Sequence, residues 1–352
     1  MRRLPALDYL RITAAILVIA VHADTITPSP TNYLGGISWW FAMTVNTLGR
    51  ASVPLFVMLS GALIYRTDRG LSFTKILARS WSRIIVPGLL WIPFYFWWMH
   101  TWHGDPFTWS YILRSVWSTN FGYLHYLLII LGLYLATPLL VRIPAEKRAA
   151  IAWISMFFML GFELVRYTSP GWAWMDTAPI LWMNYLPYYL LGSVLLGAKR
   201  SFPRLTLTAS LLLSALLLAV TCNYIGIVQG NAHHVLWWMY QGTTYFWDHF
   251  SVTDIVISLS LYYLFTAGVA SGLGKPLDRL AAYAGGATYG IYLVHVFVMD
   301  VVERYGHFQV FTVQSALWLY YLEKIALIFI FSYLFVILTR ILKLHHYLYG
   351  EK

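Results

Sequence analysis

Two ionisable side chains share one face of the first apolar segment of this sequence. Arg11 and His22 are eleven residues apart, in a run that reads LDYLRITAAILVIAVHAD from position 7. On an α-helix, eleven residues make about three turns and a rise of about 16 Å, so both side chains lie on one face. An ionisable residue deep in a membrane-spanning helix is costly and normally faces the protein interior or a wet cavity. This face is therefore the first candidate functional site.

The chemistry that this face offers is proton transfer. A neutral imidazole, with a reference pKa of about 6.5, can take a proton from a hydroxyl near neutral pH and pass it on. Asp8 lies about 40° from the same face and can pair with Arg11 at i, i+3. An Asp–Arg pair is also typical of an ordinary helix entrance, and a buried His can be a hydrogen-bonded packing residue. We interpret His22, Arg11 and Asp8 as candidate catalytic residues.

The composition indicates an integral membrane protein. Of the 352 residues, 59% are hydrophobic and 11% are charged, whereas soluble domains have about 25% charged residues. The length allows roughly ten spans of about 20 residues and no large soluble domain beside them. The predicted fold is all-α, a polytopic membrane helix bundle of about ten transmembrane helices, forming a single domain over residues 1–352. The predicted spans are 8–27, 38–65, 84–103, 124–141, 149–167, 181–198, 205–223, 252–273, 281–302 and 317–340.

The basic residues predict an orientation. With these spans, most of the 24 Lys and Arg residues fall on the side that holds both termini, which places both termini in the cytoplasm. This bias also explains the net charge of +10 without a nucleic-acid partner. Most of the 17 Trp residues fall toward the outer side, where they can anchor in the lipid interface or stack on sugar rings.

A basic stripe is predicted before the third span. If residues 73–84 are helical, Lys75, Arg79 and Arg83 recur at i, i+4 and i+8 and line up. Such a stripe can hold anionic lipid headgroups or the phosphates of a nucleotide-like donor, for which Arg offers forked hydrogen bonds. The one Cys, Cys222, excludes an intramolecular disulfide, and we expect no metal site because the sequence has no His/Cys metal motif.

Polar residues also occur inside two other predicted spans. Arg50, Ser52 and Ser60 lie in the second span, and Tyr292 and His295 occupy adjacent turns of the ninth. They are candidates for contact with a substrate or an oxyanion, although polar residues in membrane helices also serve helix packing.

Four motifs in this order resemble the membrane-bound acyltransferase family 3. They are Arg11 and His22 in the spacing Arg-X10-His, SVPLFVMLSG at 52–61, GLYLATPLL at 132–140 and YGIYLVH at 289–295. The resemblance covers nearly the whole chain, and the second-span motif is especially similar to the enterobacterial common antigen O-acetyltransferase branch. Two positions depart from the family pattern. Tyr123-Leu124-His125 stands where many members have His-Leu-Trp, and Ser80 stands at the expected first position of a basic pair.

The resemblance implies transfer of an acyl group, most often acetyl, from cytoplasmic acyl-CoA to a hydroxyl of an envelope or surface polysaccharide on the outer side. It implies a protein of the bacterial inner membrane whose partners are acyl-CoA, the glycan and membrane lipids. In that picture Lys75, Arg79 and Arg83 hold the phosphates of acetyl-CoA, and His22 is the general base or the acyl acceptor. The alternative is a secondary transporter or flippase for a glycan or lipid-linked sugar, because buried His and Arg also suit proton-coupled transport.

Overall fold

The structure, a computed structural model, describes residues 4–24, 34–67, 73–118, 124–168, 177–198, 201–231, 245–246, 248–269, 272–306 and 316–350. All regular secondary structure in these ranges is helical. The helices are α1 Pro5–Ala23, α2 Ile37–Arg50, α3 Ser52–Thr67, α4 Phe73–Ser80, α5 Val86–His103, α6 Trp109–Trp117, α7 His125–Leu140, α8 Ala145–Thr168, α9 Leu181–Asn184, α10 Leu186–Leu195, α11 Phe202–Asn231, α12 Val252–Tyr263, α13 Lys275–Tyr305, α14 Leu317–Ile341 and α15 His345–Tyr349. Two π-helical turns, Trp81–Ile85 and Leu264–Gly268, join α4 to α5 and extend α12.

Five helical segments of the described chain are long and apolar enough to cross a membrane. They are Pro5–Ala23, Ile37–Arg66, Phe202–Val228, Lys275–Tyr305 and Leu317–Ile341. Each coincides with a span predicted from the sequence, and the prediction of an all-helical membrane protein is confirmed. The total of about ten spans and the cytoplasmic termini stay predictions.

Helix α1 lies among four other helices and is held closely by them. It packs against α2, α3, α13 and α14. Small side chains allow this approach: Ala14, Ala20 and Ala23 are buried, and a Cβ atom on Gly285 of α13 would lie 3.2 Å from the Cα of Asp8. Close backbone approach through small residues is the usual basis of helix association in membranes.

The end of α1 near His22 is fixed by side chains of α14. The Tyr321 hydroxyl donates to the carbonyl of Ala20 at 2.7 Å, and the Lys324 ammonium donates to the carbonyl of Ala23 at 3.0 Å. Lys324 is also paired with Glu303 and is only 2% exposed. A cation at the last carbonyls of a helix complements the helix dipole. Lys324 lies about two turns inside α14.

Helices α3 and α10 cross at two glycines, which determine how closely the two helices can pack. A Cβ atom on Gly61 would lie 1.9 Å from the carbonyl oxygen of Tyr189, and one on Gly192 would lie 2.0 Å from that of Met58. Both obstacles are backbone atoms, so they cannot turn aside as a flexible side chain can.

We expect Gly192→Ala to destabilise the protein by about 1–3 kcal/mol, because the added methyl overpacks this crossing. The measurement is thermal unfolding of the detergent-purified protein. Gly161→Ala is the matched control, since a Cβ atom there meets nothing within 4 Å and alanine favours helix. Equal unfolding temperatures for the two variants would contradict the close crossing.

Candidate active site

A cavity of about 600 Å³ opens beside α1. Its walls come from α1, α3, α7 and α13. The π-turn Trp81–Ile85 and the residues Tyr349 and Gly350 complete its lining. The lining includes Arg11, Phe56, Ser60, Arg83, Tyr126 and Tyr292. The cavity therefore brings together candidates from four separate stretches of sequence.

Aromatic rings close the inner end of the cavity. Along α13 its lining extends from Gly285 to Tyr292, seven residues that correspond to about 10 Å of helix. At the Tyr292 end, the ring centroids of Phe56 and Tyr126 are 5.9 Å apart and those of Tyr126 and Tyr292 are 5.3 Å apart. We call Phe56, Tyr126 and Tyr292 the aromatic layer. Ser60 lines the same cavity, and its hydroxyl donates to the carbonyl of Phe56 at 2.9 Å.

A pair of histidines lies directly behind the aromatic layer. The ring centroids of His22 and His295 are 5.4 Å apart, and those of Tyr292 and His295 are 5.9 Å apart. The two histidines come from α1 and α13, so packing of these helices brings the first and last motifs of the sequence together. His22 is half-buried and His295 is fully buried.

The hydrogen bonding of His295 determines its tautomer. Its Nδ1 lies 2.6 Å from the carbonyl oxygen of Tyr292, and only a protonated nitrogen can donate to a carbonyl. In the neutral imidazole Nε2 then carries the lone pair. This Nε2 is buried and has no hydrogen-bond partner. His295 therefore presents a hydrogen-bond acceptor of fixed orientation in the histidine pair behind the aromatic layer.

Arginine marks the opposite, open end of the cavity. Arg11 Nη1 lies 3.2 Å from Asp8 Oδ1, with the Asp8 side chain 3% and the Arg11 side chain 28% exposed. The buried carboxylate thus holds the guanidinium at the edge of the cavity, as the i, i+3 spacing predicts. Arg83 also lines the cavity and is exposed to solvent. Two guanidinium groups at one mouth suit a phosphate-bearing ligand.

The predicted basic stripe does not continue straight into the cavity. Lys75 is exposed on α4 and is not among the residues that line the cavity, whereas Arg83 is. Residues 81–85 form a π-turn, which changes the angular spacing of side chains between Lys75 and Arg83. The side chain of Arg79 lies outside the described residues. The structure therefore associates Arg83, and not Lys75, with the cavity.

A buried polar network continues from the His22 end of α1. Asn46 Nδ2 donates to Asp24 Oδ2 at 2.8 Å, and Arg50 Nε donates to Asn46 Oδ1 at 3.2 Å. Arg50 lies within electrostatic range of His22, as do His125 and His249. The candidate Arg50 is thus held by a chain of side chains that ends beside the last turn of α1.

Two residues of this network belong to a distant part of the sequence. His249 Nδ1 donates to the backbone carbonyl of Arg50 at 2.7 Å. Asp254 of α12 is 2% exposed, neither of its carboxylate oxygens has a hydrogen-bond partner, and it lies within electrostatic range of Arg50. A guanidinium near a buried carboxylate lowers the cost of burying the carboxylate charge.

The sequence analysis missed Asn46, His249 and Asp254. Asp254 gave a usable signal, because an ionisable residue in an apolar span is a functional candidate by default. His249 lies in the connecting segment before α12, where the sequence gave no comparable signal. Ser52, a sequence candidate, is buried at the start of α3 and lies outside the cavity lining.

The comparison with known families shows the family to which the chain belongs. A family model described as an acyltransferase domain, Acyl_transf_3, matches residues 4–342. The chain belongs to this family. No curated protein and no solved structure matches it.

Membership of this family indicates acyl transfer as the reaction of the protein. The matched region contains Arg11, the aromatic layer, His22 and His295. The protein is an integral membrane acyltransferase. His22 lies behind the aromatic layer, and Arg11, which lines the cavity, is about 16 Å of helix away from it.

Proposed function

We propose that this protein transfers an acyl group, acetyl in the first instance, from cytoplasmic acyl-CoA to a hydroxyl of an envelope or cell-surface polysaccharide. One observation carries the proposal. A single cavity leads from Arg11 and Arg83 to an aromatic layer that contacts the His22–His295 pair. The family match supports acyl transfer itself.

Coenzyme A suits the charge distribution of this cavity. Its phosphates would bind at the mouth, where Arg11 and Arg83 can form charge-assisted hydrogen bonds. The thin pantetheine arm would follow the wall of α13, which lines the cavity from Gly285 to Tyr292. The arm is comparable in length to the interval of about 16 Å between Arg11 and His22. Delivery of the thioester to His22 requires the rings of Tyr126 and Tyr292 to turn aside.

The transfer step needs a base, and His22 is the proposed one. His22 takes the proton of the acceptor hydroxyl while the hydroxyl oxygen attacks the thioester carbonyl. The C–S bond then breaks, the new ester is released, and the proton passes from the imidazole to the departing thiolate. Alternatively, His22 first accepts the acyl group covalently and the sugar hydroxyl removes it in a second attack. In both routes the proton of the sugar hydroxyl ends on the thiolate of coenzyme A. Both routes also require His22 to lie beside the thioester carbonyl carbon.

The tetrahedral intermediate carries an oxyanion that needs donors. Arg50 is the proposed stabilising charge, because Asn46 and Asp24 hold it within electrostatic range of His22. Tyr292 is a second candidate through its hydroxyl. Ser60 is a weaker one, because its proton is already donated to the carbonyl of Phe56. His295 is proposed to position His22 from the adjacent helix.

The membrane arrangement follows from the same proposal. About ten spans in one domain, with both termini in the cytoplasm of a bacterium, place Arg11 and Arg83 on the donor side. The excess of basic residues in the loops of that side supports the orientation. His22 and Arg50 then lie toward the outer half of the bilayer, where the polysaccharide is available.

The decisive experiment combines donor binding with product analysis. Detergent-purified protein should bind acetyl-CoA, and mass spectrometry of envelope glycans should show an acyl mass that disappears when the protein is absent. Glycan movement across vesicles without acetyl-CoA binding would instead favour a transporter or flippase. The glycan that loses the acyl mass identifies the acceptor, and the added mass distinguishes acetyl from longer acyl chains.

A further inference from the structure

A second cavity borders the opposite face of α3. It has a volume of about 320 Å³ and is lined by Ala62, Tyr65, Arg66, Arg148 and Ser193. The first cavity uses Leu59, Ser60, Leu63 and Ile64 of the same helix. At 100° per residue these two sets point away from each other. The second cavity is therefore separate from the proposed acyl-CoA site.

Arg148 is buried in the wall of this second cavity with hydrogen-bonding capacity left over. It is 7% exposed, and its guanidinium carbon lies 3.9 Å from the ring centroid of Tyr65. One terminal nitrogen donates weakly to the carbonyl of Ile143 at 3.4 Å, and Nε is buried without a hydrogen-bond partner. Burying a cation costs free energy when some of its N–H donors lack hydrogen bonds, unless a nearby anion compensates the charge.

The described residues do not supply that anion. Arg148 forms no salt bridge with a carboxylate of the described residues. The cavity lining adds a second cation, Arg66, and no carboxylate. Two guanidinium groups around a small cavity match a phosphate ester, which can accept forked hydrogen bonds from each.

The surroundings of the cavity favour a lipid as the source of this phosphate. Arg148 lies in the first turn of α8, and the following turns of that helix expose Ile154 and Phe158, at 56% and 62%. Residues 149–167 of α8 are a span predicted from the sequence, and large apolar side chains exposed on a membrane span face lipid chains. A phospholipid with its headgroup at Arg148 can therefore lay its acyl chains along α8.

We propose that this cavity binds the phosphate of an anionic phospholipid, held by Arg148 and Arg66 between α3, α8 and α10. Tyr65 forms the floor of the site, because its ring stacks under Arg148 while its hydroxyl donates to the carbonyl of Leu140 at 2.5 Å. The bound phosphate supplies the counter-charge that the buried guanidinium lacks among the described residues.

Native mass spectrometry of the detergent-purified full-length protein, titrated with phosphatidylglycerol, tests this proposal. Arg148→Gln is expected to weaken the binding of the first lipid by about tenfold or more, since it removes charge-assisted hydrogen bonds. Lys147→Gln is the matched control: it removes one positive charge from the neighbouring, exposed position and should leave this binding unchanged. Equal losses in both variants would show general attraction to the surface and overturn the site.

Two further arms complete the experiment. Ser193→Leu keeps both arginines but fills the cavity, so it should also weaken binding, and it decides the question if Arg148→Gln does not fold. Glycerol phosphate and coenzyme A serve as soluble competitors. Displacement of phosphatidylglycerol by either at concentrations comparable to the lipid would identify a soluble phosphate as the ligand and overturn the lipid assignment.

Discussion

Substitution of His22 by Ala is expected to lower the rate of acyl transfer by about a hundred- to ten-thousand-fold, the usual contribution of a general base. The imidazole is the proton acceptor proposed for the sugar hydroxyl, and it lies behind the aromatic layer at the inner end of the cavity. Donor binding should be nearly unchanged, because the phosphates are held about 16 Å away at Arg11 and Arg83. The measurements are transfer of labelled acetyl groups to glycan and equilibrium binding of acetyl-CoA to the same preparation.

The control for this variant is His346→Ala, which removes an imidazole from an exposed position of α15 and should leave transfer intact. Retained transfer by a folded His22→Ala protein would rule out His22 as the base and as the acyl acceptor. Rapid quenching of the native enzyme in the absence of glycan separates the two routes. An acyl mass on the peptide that contains His22 indicates the covalent route, and its absence indicates direct transfer.

Regular helical spacing explains why part of this site could be predicted from the sequence. Arg11 and His22 lie on one uninterrupted helix, so their separation follows from residue number alone. Asp8 pairs with Arg11 for the same reason. The polar residues of the ninth predicted span also pointed to His295, and its 5.4 Å ring contact with His22 gives that candidate a place in the site.

Local departures from the α-helix defeated the same reasoning at the basic stripe. Lys75 and Arg83 align only if residues 73–84 keep the α-helical period, and the π-turn Trp81–Ile85 breaks that period. The i, i+4, i+8 spacing assumes a continuous α-helix, so it cannot reveal a π-turn that shifts the direction of the following side chains.

Tertiary contacts over long sequence separations explain the remaining misses. His249 reaches the carbonyl of Arg50 across 199 positions, and Lys324 reaches that of Ala23 across 301. No local pattern encodes such partners. They follow from helix packing, in which buried polar groups must find acceptors because lipid offers none.

The two ends of the site have different electrostatic surroundings, and mutations at each should have different effects. The guanidinium groups at the mouth are partly accessible to solvent. Substitutions that remove these charges should therefore act mainly on the affinity for the acyl donor. At the other end, Arg50 is linked to buried Asn46 and Asp24, where a lost partner leaves a polar group unsatisfied. Variants at the mouth are therefore the cleaner test of donor recognition.

Arg83→Gln is expected to weaken acetyl-CoA binding by about ten- to a hundredfold, because a hydrogen bond to a charged group contributes about 1.5–3 kcal/mol. Gln keeps most of the side-chain length and removes the charge. The backbone at Arg83 should stay in place, since Gly350 packs directly against Ser82 and Arg83. KM for acetyl-CoA should rise while kcat changes little, the pattern expected when binding energy is lost equally from the ground and transition states.

Lys75→Gln provides a charge-matched comparison eight positions away on the same predicted stripe. Lys75 is exposed and outside the cavity lining, so its removal should change the donor Kd far less than Arg83→Gln, and what change remains should disappear at high salt. Equal effects at both positions would mean that the donor responds to the overall charge of this surface. An effect confined to Arg83 would place the phosphates at the cavity mouth and link donor binding to the same cavity that ends at His22.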